Sequence, residues 1–144
     1  MSRKNFLNKT KWIKVKDHSA ASTADVTSDI IDTAGYQGVV FVTSFGTANA
    51  TNTVKLQQNT ANQTTGMADL LGTSVTSGSS DEDVILELHK PLERYIQLVA
   101  ERGSSSTLES IWACLYDGDS SVANDTLTGT QVAELNVSPI EGTA

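Results

Sequence analysis

Residues 90–118, KPLERYIQLVAERGSSSTLESIWACLYDG, decide the fold because they are compatible with two different structures. As helices, Pro91 would occupy a first turn, apolar residues would recur every three or four positions, and Gly103 would end the first helix. As strands, the stretch holds two apolar runs, 95–100 and 107–116, separated by a Gly-Ser-Ser-Ser turn. Periodicity alone leaves both interpretations open, so the rest of the chain has to decide.

The remainder of the chain favours strands. Ser and Thr together occupy 34 of the 144 positions, and Thr and Val are typical of strands while Ser and Asn are typical of turns. Short segments with strand patterns alternate with connections rich in Gly, Ser, Asn and Asp. These segments are 11–16, 25–31, 39–45, 53–59, 71–76 and 84–90.

The clearest of these segments is 39–45, VVFVTSF, which is predicted to be a central strand because both of its faces begin apolar. The segment 11–16, KWIKVK, is predicted to be an edge strand whose lysines deter unwanted pairing. In this context 94–101 and 107–116 are predicted to pair as an antiparallel hairpin. The fold class predicted is all-β: an antiparallel β-sandwich of jelly-roll type with about eight strands.

The predicted organisation is a single sandwich with an arm at each end. Residues 1–18 form a basic N-terminal arm and the first edge strand, 19–118 form the sandwich, and 119–144 form an extended C-terminal arm. The C-terminal stretch has scattered apolar residues without a sustained period, a composition typical of a segment that lies on a partner. We expect the outer parts of both arms, 1–10 and 119–144, to become ordered only when a partner covers them.

The charge of the chain is divided unevenly. Residues 1–18 carry six basic side chains and one acidic, whereas the other 126 residues carry four basic and 16 acidic. An acidic body repels nucleic acid, so a nucleic-acid-binding role is not expected. No apolar run reaches the length of a membrane helix, and the N-terminal residues lack the apolar core of a signal peptide, so the chain is expected to stay in the cytoplasm where it is made.

Motifs for catalysis are missing from the sequence. There is no G-x-S-x-G nucleophile elbow and no Gly-rich phosphate loop, so no enzyme activity and no cofactor are predicted. The carboxylate clusters 81–83 and 117–119 lack the calcium-loop pattern and are interpreted as solvated turns, so no metal site is predicted. The lone cysteine, Cys114, excludes an internal disulfide and is expected to be a small buried residue.

A carbohydrate-binding module is the alternative interpretation. It rests on four aromatic residues that a sandwich can present as a sugar-stacking platform: Trp12, Tyr36, Trp112 and Tyr116. The opposing interpretation is that these rings pack in the core and at its rim.

The order of several short motifs resembles a known family. The motifs, spread over about residues 24–118, are DTAGYQGVVFVTSFGT (32–47), TVKLQQNT (53–60), ADLLGTS (68–74), PLERYIQLVAERG (91–103) and ACLYDG (113–118). In this order they resemble the head cement or decoration proteins of tailed bacteriophages, which are small virion proteins with a jelly-roll-type sandwich. The resemblance implies strands on both sides of Arg102-Gly103, and neither terminal arm takes part in it.

What the resemblance implies about function is a structural protein of the virion. It would decorate the outer capsid surface and cement it by bridging neighbouring major capsid protein subunits, after synthesis in the bacterial cytoplasm; a neck or tail component is the other virion role. The expected partners are the major capsid protein and further copies of the chain, as a homodimer or homotrimer with Trp12 or Tyr36 near an interface. The residues expected to bind partners are Arg3, Lys4, Lys9, Lys11, Trp12, Tyr36, Leu127, Val132, Leu135 and Ile140.

Overall fold

The computed structural model describes residues 5–119, 141 and 143. Nearly all of its regular structure is β. In chain order the elements are α1 (Phe6–Lys9), β1 (Lys11–Lys16), β2 (Ser19–Ser22), β3 (Val26–Thr27), β4 (Ile31–Asp32), β5 (Gly38–Phe45), β6 (Thr53–Asn59), β7 (Ala68–Asp69), β8 (Val75–Thr76), β9 (Glu82–His89), β10 (Tyr95–Glu101), β11 (Ser106–Leu108) and β12 (Ile111–Tyr116).

The strands form two main sheets that pack as a sandwich. The first sheet has the order β1-β12-β5-β9. In the second sheet β10 and β6 are central, the short strands β3 and β4 both pair with β10, and β7 and β8 both pair with β6. The twelve strands therefore occupy eight positions, with β2 and β11 as an additional pair, and the chain changes sheet at every step between positions except from β6 to β7. This is the jelly-roll arrangement, so the predicted fold class is confirmed.

The predicted hairpin between 94–101 and 107–116 is wrong, although both segments are strands. β10 lies in the second sheet and pairs along its whole length with β6, from Tyr95–Asn59 to Glu101–Thr53. β12 lies in the first sheet between β1 and β5. The connection between them contains β11, which pairs with β2 and carries the chain across the sandwich. Local patterns identify a strand but do not encode its partner, which here is about 40 residues away along the chain.

The core lies between the two sheets and explains which strands are central. Phe41 and Phe45 of β5 and Ile96 and Leu98 of β10 are fully or almost fully buried. β5 pairs with β12 on one side and β9 on the other, so its predicted central position is confirmed. In β10 all residues from Ile96 to Ala100 are buried, and all of them except Gln97 are apolar, which is why the strand lacks a regular alternation of apolar and polar residues.

Near the N-terminus, strand β1 agrees with the sequence prediction and the helical turn α1 does not. β1 is an edge strand, as predicted, and its pairing with β12 shifts register between Lys14 and Lys16. The helical turn α1 was not predicted. It precedes β1 directly, and the Thr10 hydroxyl after it donates a hydrogen bond to the Phe6 carbonyl oxygen (2.8 Å).

Candidate functional site: the outer face of the first sheet

The outer face of the first sheet is more apolar than a solvent-exposed face requires. Because side chains alternate along a strand, the residues between the core positions point away from the sandwich. The register aligns Trp12, Cys114, Val40 and Glu87 in one row across the four strands, and Lys14, Trp112, Val42 and Ile85 in the next. We call these eight residues the outer face.

Tyr116 extends this face by crossing β5 to reach β9. Its hydroxyl donates a hydrogen bond of 2.5 Å to Glu87 Oε1 and lies 2.8 Å from His89 Nδ1, so the imidazole nitrogen is the donor in the second pair. The two rings stack with centroids 6.1 Å apart. The path is open because Gly38 lies beneath the ring, where a Cβ atom would overlap the hydroxyl. Burial, followed by the Glu87 hydrogen bond, raises the pKa of Tyr116 to about 12, so the phenol stays protonated at neutral pH.

A cleft of about 520 Å³ lies between α1 and the outer face. Val40 and Cys114 contribute to its lining from the sheet, and Phe6 and Lys9 contribute from α1. Burial raises the pKa of the Cys114 thiol to about 11, so it is an apolar lining group rather than a reactive thiolate. The lining suits an apolar group, and Phe6 beside it is 63% exposed.

The N-terminal and C-terminal segments leave the sandwich side by side at one end of this sheet. The Gly118 amide donates to the Lys9 carbonyl oxygen (3.0 Å), and the Lys9 ammonium donates to the Gly118 carbonyl oxygen (3.0 Å). The Asp119 amide then donates to the carbonyl oxygen of Gly35 (2.9 Å), in the loop before β5. Chain segments attached at neighbouring points of one body can contact the same neighbouring surface.

The predicted partner-binding residues are only partly brought together. Lys9 lines the cleft, Trp12 belongs to the outer face, and Lys11 lies next to it on β1 in register with Leu115. Tyr36 lies apart, half-buried in the loop before β5, where burial raises its pKa. Six of the predicted residues lie outside the described part of the chain: Arg3, Lys4, Leu127, Val132, Leu135 and Ile140.

Three of the four aromatic residues considered for sugar binding share one face, but each already has a neighbour in the protein. The Trp12 ring lies 6.3 Å from Phe6, the Lys14 ammonium lies 5.9 Å from the Trp112 ring centroid, and Tyr116 stacks on His89. Sugar stacking would have to use the remaining open ring surface.

Arg94 and Arg102, which belong to the motifs that carry the family resemblance, stabilise the fold. The Arg94 guanidinium forms two hydrogen bonds with the Asp32 carboxylate, of 2.7 and 2.8 Å, and this contact is the main cause that lowers the pKa of Asp32. Arg102 donates to three carbonyl oxygens, those of Ala20, Ala24 and Ser106. These contacts join separate strands and loops of the sandwich, and they identify no binding site.

Neither a metal-binding cluster nor a membrane-spanning helix occurs among the described residues. Across residues 5–119, 141 and 143, no three His, Cys, Asp or Glu side chains are placed to share a metal ion. Asp81 and Asp117, from the two carboxylate clusters, have positive φ angles of 61° and 50°, as turn residues do. Within the same described ranges, no helix is long and apolar enough to cross a membrane.

Sequence reasoning did not identify several residues of the outer face. Val40, Val42 and Ile85 were assigned only to strands, and the pairing of His89 with Tyr116 depends on strands 27 residues apart. The available signal was the apolar start of β5 on both faces, which we interpreted as central burial.

The chain matches no known protein-family model and no curated protein sequence.

Proposed function

We propose that this chain is a structural protein of a bacteriophage virion, which decorates the outer capsid surface and cements it by bridging neighbouring major capsid protein subunits. The proposal starts from the motif resemblance and from the jelly-roll sandwich. The observation that carries it furthest is the adjacency of the two terminal segments at Lys9 and Gly118.

The two terminal segments suit a bridging role because they differ in charge and are attached to the sandwich at neighbouring residues, Lys9 and Gly118. Residues 1–4 carry two basic side chains, and residues 120–144 carry three acidic side chains and no basic one. The C-terminal segment also contains the apolar residues expected to bind a partner, Leu127, Val132, Leu135 and Ile140. Because one rigid body holds both segments, binding of one raises the effective concentration of the other at the shell.

Symmetry of the capsid favours such an arrangement. A shell offers many identical sites, so contacts that are weak singly can sum to stable decoration. Ordering the segments costs about 1–2 kcal/mol of backbone entropy per residue, so the apolar residues need partner surface to offset it. The sandwich would act as a rigid, inert body between attachment points.

The test is binding of the purified protein to phage heads that lack it. Occupancy should be high for the full chain and sharply lower after deletion of residues 120–144, with far-UV circular dichroism confirming that the sandwich still folds. A full-length variant serves as the control, because it keeps the C-terminal segment and removes only its apolar side chains. In it, four residues are changed to Ser: Leu127, Val132, Leu135 and Ile140. Full occupancy for both variants would place attachment on the sandwich itself, and no binding by the full chain would refute the cement role.

Carbohydrate binding is the second candidate, supported by the placement of Trp12, Trp112 and Tyr116 on one face. A glycan array probed with the purified protein tests it directly. Binding that is lost in Trp112→Ala and kept in Tyr36→Ala, a half-buried aromatic outside that face, would favour this function over the cement role.

A further inference from the structure

The two edge strands of the first sheet carry opposite charge. β1 (KWIKVK) contributes Lys11, Lys14 and Lys16 and has no acidic residue; we call these three residues the lysine edge. β9 (EDVILELH) contributes Glu82, Asp83 and Glu87 and has no lysine or arginine; we call these the carboxylate edge. The two edges lie on opposite sides of one four-stranded sheet.

This distribution disfavours some contacts between copies and favours one. Two lysine edges repel each other, as do two carboxylate edges, so a symmetric edge-to-edge contact is unfavourable in both cases. The lysine edge of one copy and the carboxylate edge of another attract. A contact between two different surfaces is head to tail, and it closes into a ring or continues as a filament.

The register of the sheet places the charges at matching heights. Height here means position along the strand direction. Trp12 pairs with Cys114, Cys114 with Val40 and Val40 with Glu87, so Trp12 and Glu87 share one height and Lys11 lies one residue away from it. At the other end of β1, Lys16 pairs with Ile111, which places it within about one residue of Asp83. A rotation axis parallel to the strands preserves these heights, so each of the two lysines would lie within about one residue of a carboxylate of the next copy. Lys11 pairs with the buried Leu115 and Glu87 pairs with Val40 of the outer face, so these two side chains would meet around the sheet edge.

Strand direction is consistent with the same arrangement. Neighbouring strands in the order β1-β12-β5-β9 are all antiparallel, so β1 and β9 run in opposite directions. Rotation about an axis parallel to the strands therefore sets β9 of one copy antiparallel to β1 of the next. The Val15 carbonyl oxygen already accepts a hydrogen bond from the Asp29 amide (2.9 Å), which interrupts any main-chain ladder along β1. The contact would be carried mainly by side chains.

We propose that copies of this chain associate head to tail, with the lysine edge of one against the carboxylate edge of the next. Two sheets cannot readily meet at both edges at once, so a closed ring needs three or more copies, which favours the trimer over the dimer. The exposed Ile85 and the partly buried Trp12 would lie beside the charge pairs. This association goes beyond the virion role and does not depend on it.

Charge reversal on the full chain tests the proposal by sedimentation velocity in low salt. Lys11→Glu with Lys16→Glu makes both edges acidic, and Asp83→Lys with Glu87→Lys makes both edges basic. Each double variant should associate at least about tenfold more weakly than the wild type. The quadruple variant exchanges the signs of the edges and should recover wild-type association. Wild-type association should also weaken as salt is raised.

Several outcomes would overturn the proposal. These are a wild type that stays monomeric at high concentration in low salt, double variants that associate like the wild type, or a quadruple variant that fails to recover. Because Glu87 accepts the Tyr116 hydrogen bond, folding of every variant is checked by circular dichroism, and Lys16→Glu and Asp83→Lys serve as milder single changes. The measurement uses no heads, so its failure leaves the capsid proposal standing and is distinguishable from it.

Discussion

The outer faces of the two sheets differ in chemical character: one is polar and internally hydrogen-bonded, and the other is largely apolar. On the second sheet the outward side chains bond to one another: Gln97 donates to Gln57 (2.6 Å), and Gln57 donates to Asp69 (2.7 Å). Lys55 then joins Asp69 (3.0 Å) to Glu101 (2.9 Å). On the first sheet the outward positions are largely apolar, with a cleft beside them.

The difference indicates where partner binding is to be expected. A polar ladder whose side chains already bond to one another gains little from a partner, because most new contacts must first break existing hydrogen bonds. Apolar surface left exposed to water gains free energy when a partner covers it. The first sheet also holds the two terminal segments and both charged edges, so the features available for assembly are concentrated on one side of the molecule.

The largest effect on stability is expected at Gly38, which the first sheet needs in order to place Tyr116. In Gly38→Ala the new Cβ would overlap the Tyr116 hydroxyl and lie 2.6 Å from the Leu88 carbonyl oxygen. We expect a loss of about 1–3 kcal/mol of unfolding free energy, as for other overpacked sites, measured by urea denaturation. Ser44→Ala on the same strand is the control, and equal stability of the two variants would contradict the structural role of Gly38.

A smaller effect is expected from Gln97, which probes the polar ladder. Gln97 is 3% exposed, and its Oε1 atom has no hydrogen-bond partner among residues 5–119, 141 and 143. Gln97→Leu removes that buried acceptor at similar volume, so the unfolding free energy should change by less than about 1 kcal/mol. Gln97→Ala should cost more because it leaves a cavity. If the Leu variant is the less stable of the two, the ladder depends on Gln97 more than the geometry indicates.

The ladder also predicts a response to acid. Hydrogen bonds from Thr53 and Lys55 lower the pKa of Glu101, and those from Gln57 and Lys55 lower the pKa of Asp69. A carboxyl group with a lowered native pKa stabilises the fold at pH values above its unfolded pKa, about 4, and this contribution is lost as pH falls through the native value. Unfolding free energy should therefore decline below about pH 4.5.

Lys55→Met tests the source of that decline. Removing the ammonium takes away a contact that lowers both carboxyl pKa values, so the variant should lose less stability between about pH 5 and pH 3 than the wild type does. Chemical denaturation across this range measures the difference. Parallel curves for the two proteins would show that the acid response arises elsewhere.

The smallest effect on stability is expected at Ile85 on the outer face. This side chain is 67% exposed, so Ile85→Thr should change the unfolding free energy by less than about 0.5 kcal/mol. The same substitution should weaken association between copies, because Ile85 lies between the charge pairs of the proposed contact. An unchanged association constant would exclude this part of the face from the interface.

The sequence predicted the long strands, but it predicted neither the short strands β2 and β7 nor the pairing of the strands. Alternation in TVKLQQN and the β-branched run VVFVTSF predicted β6 and β5 correctly, because each pattern is set by burial of that strand alone. The pairing of β10 with β6 was missed, since the stretch 91–118 looked like a local hairpin. Sheet partners in a jelly roll are distant in sequence, and adjacency along the chain is a poor guide to them.

The candidate site was less predictable than the fold for a related reason. Trp12 and Lys9 were chosen from the sequence for their chemistry, and both lie at the outer face or its cleft. The Tyr116–His89–Glu87 group was not predicted, since it exists only because Gly38 on an intervening strand lacks a side chain. The adjacency of Lys9 and Gly118 likewise depends on β1 and β12 being paired, although they lie at opposite ends of the described chain.

The most direct test of the virion role is a cryo-electron microscopy comparison of phage heads with and without this protein. Heads that carry the protein should show density for the sandwich on the outer capsid surface, over the seams between major capsid protein subunits. The end of the sandwich that carries Lys9 and Gly118 should face the shell, with further density continuing from it across the seam. Identical maps for the two kinds of head, or a sandwich whose Lys9–Gly118 end faces solvent, would contradict it.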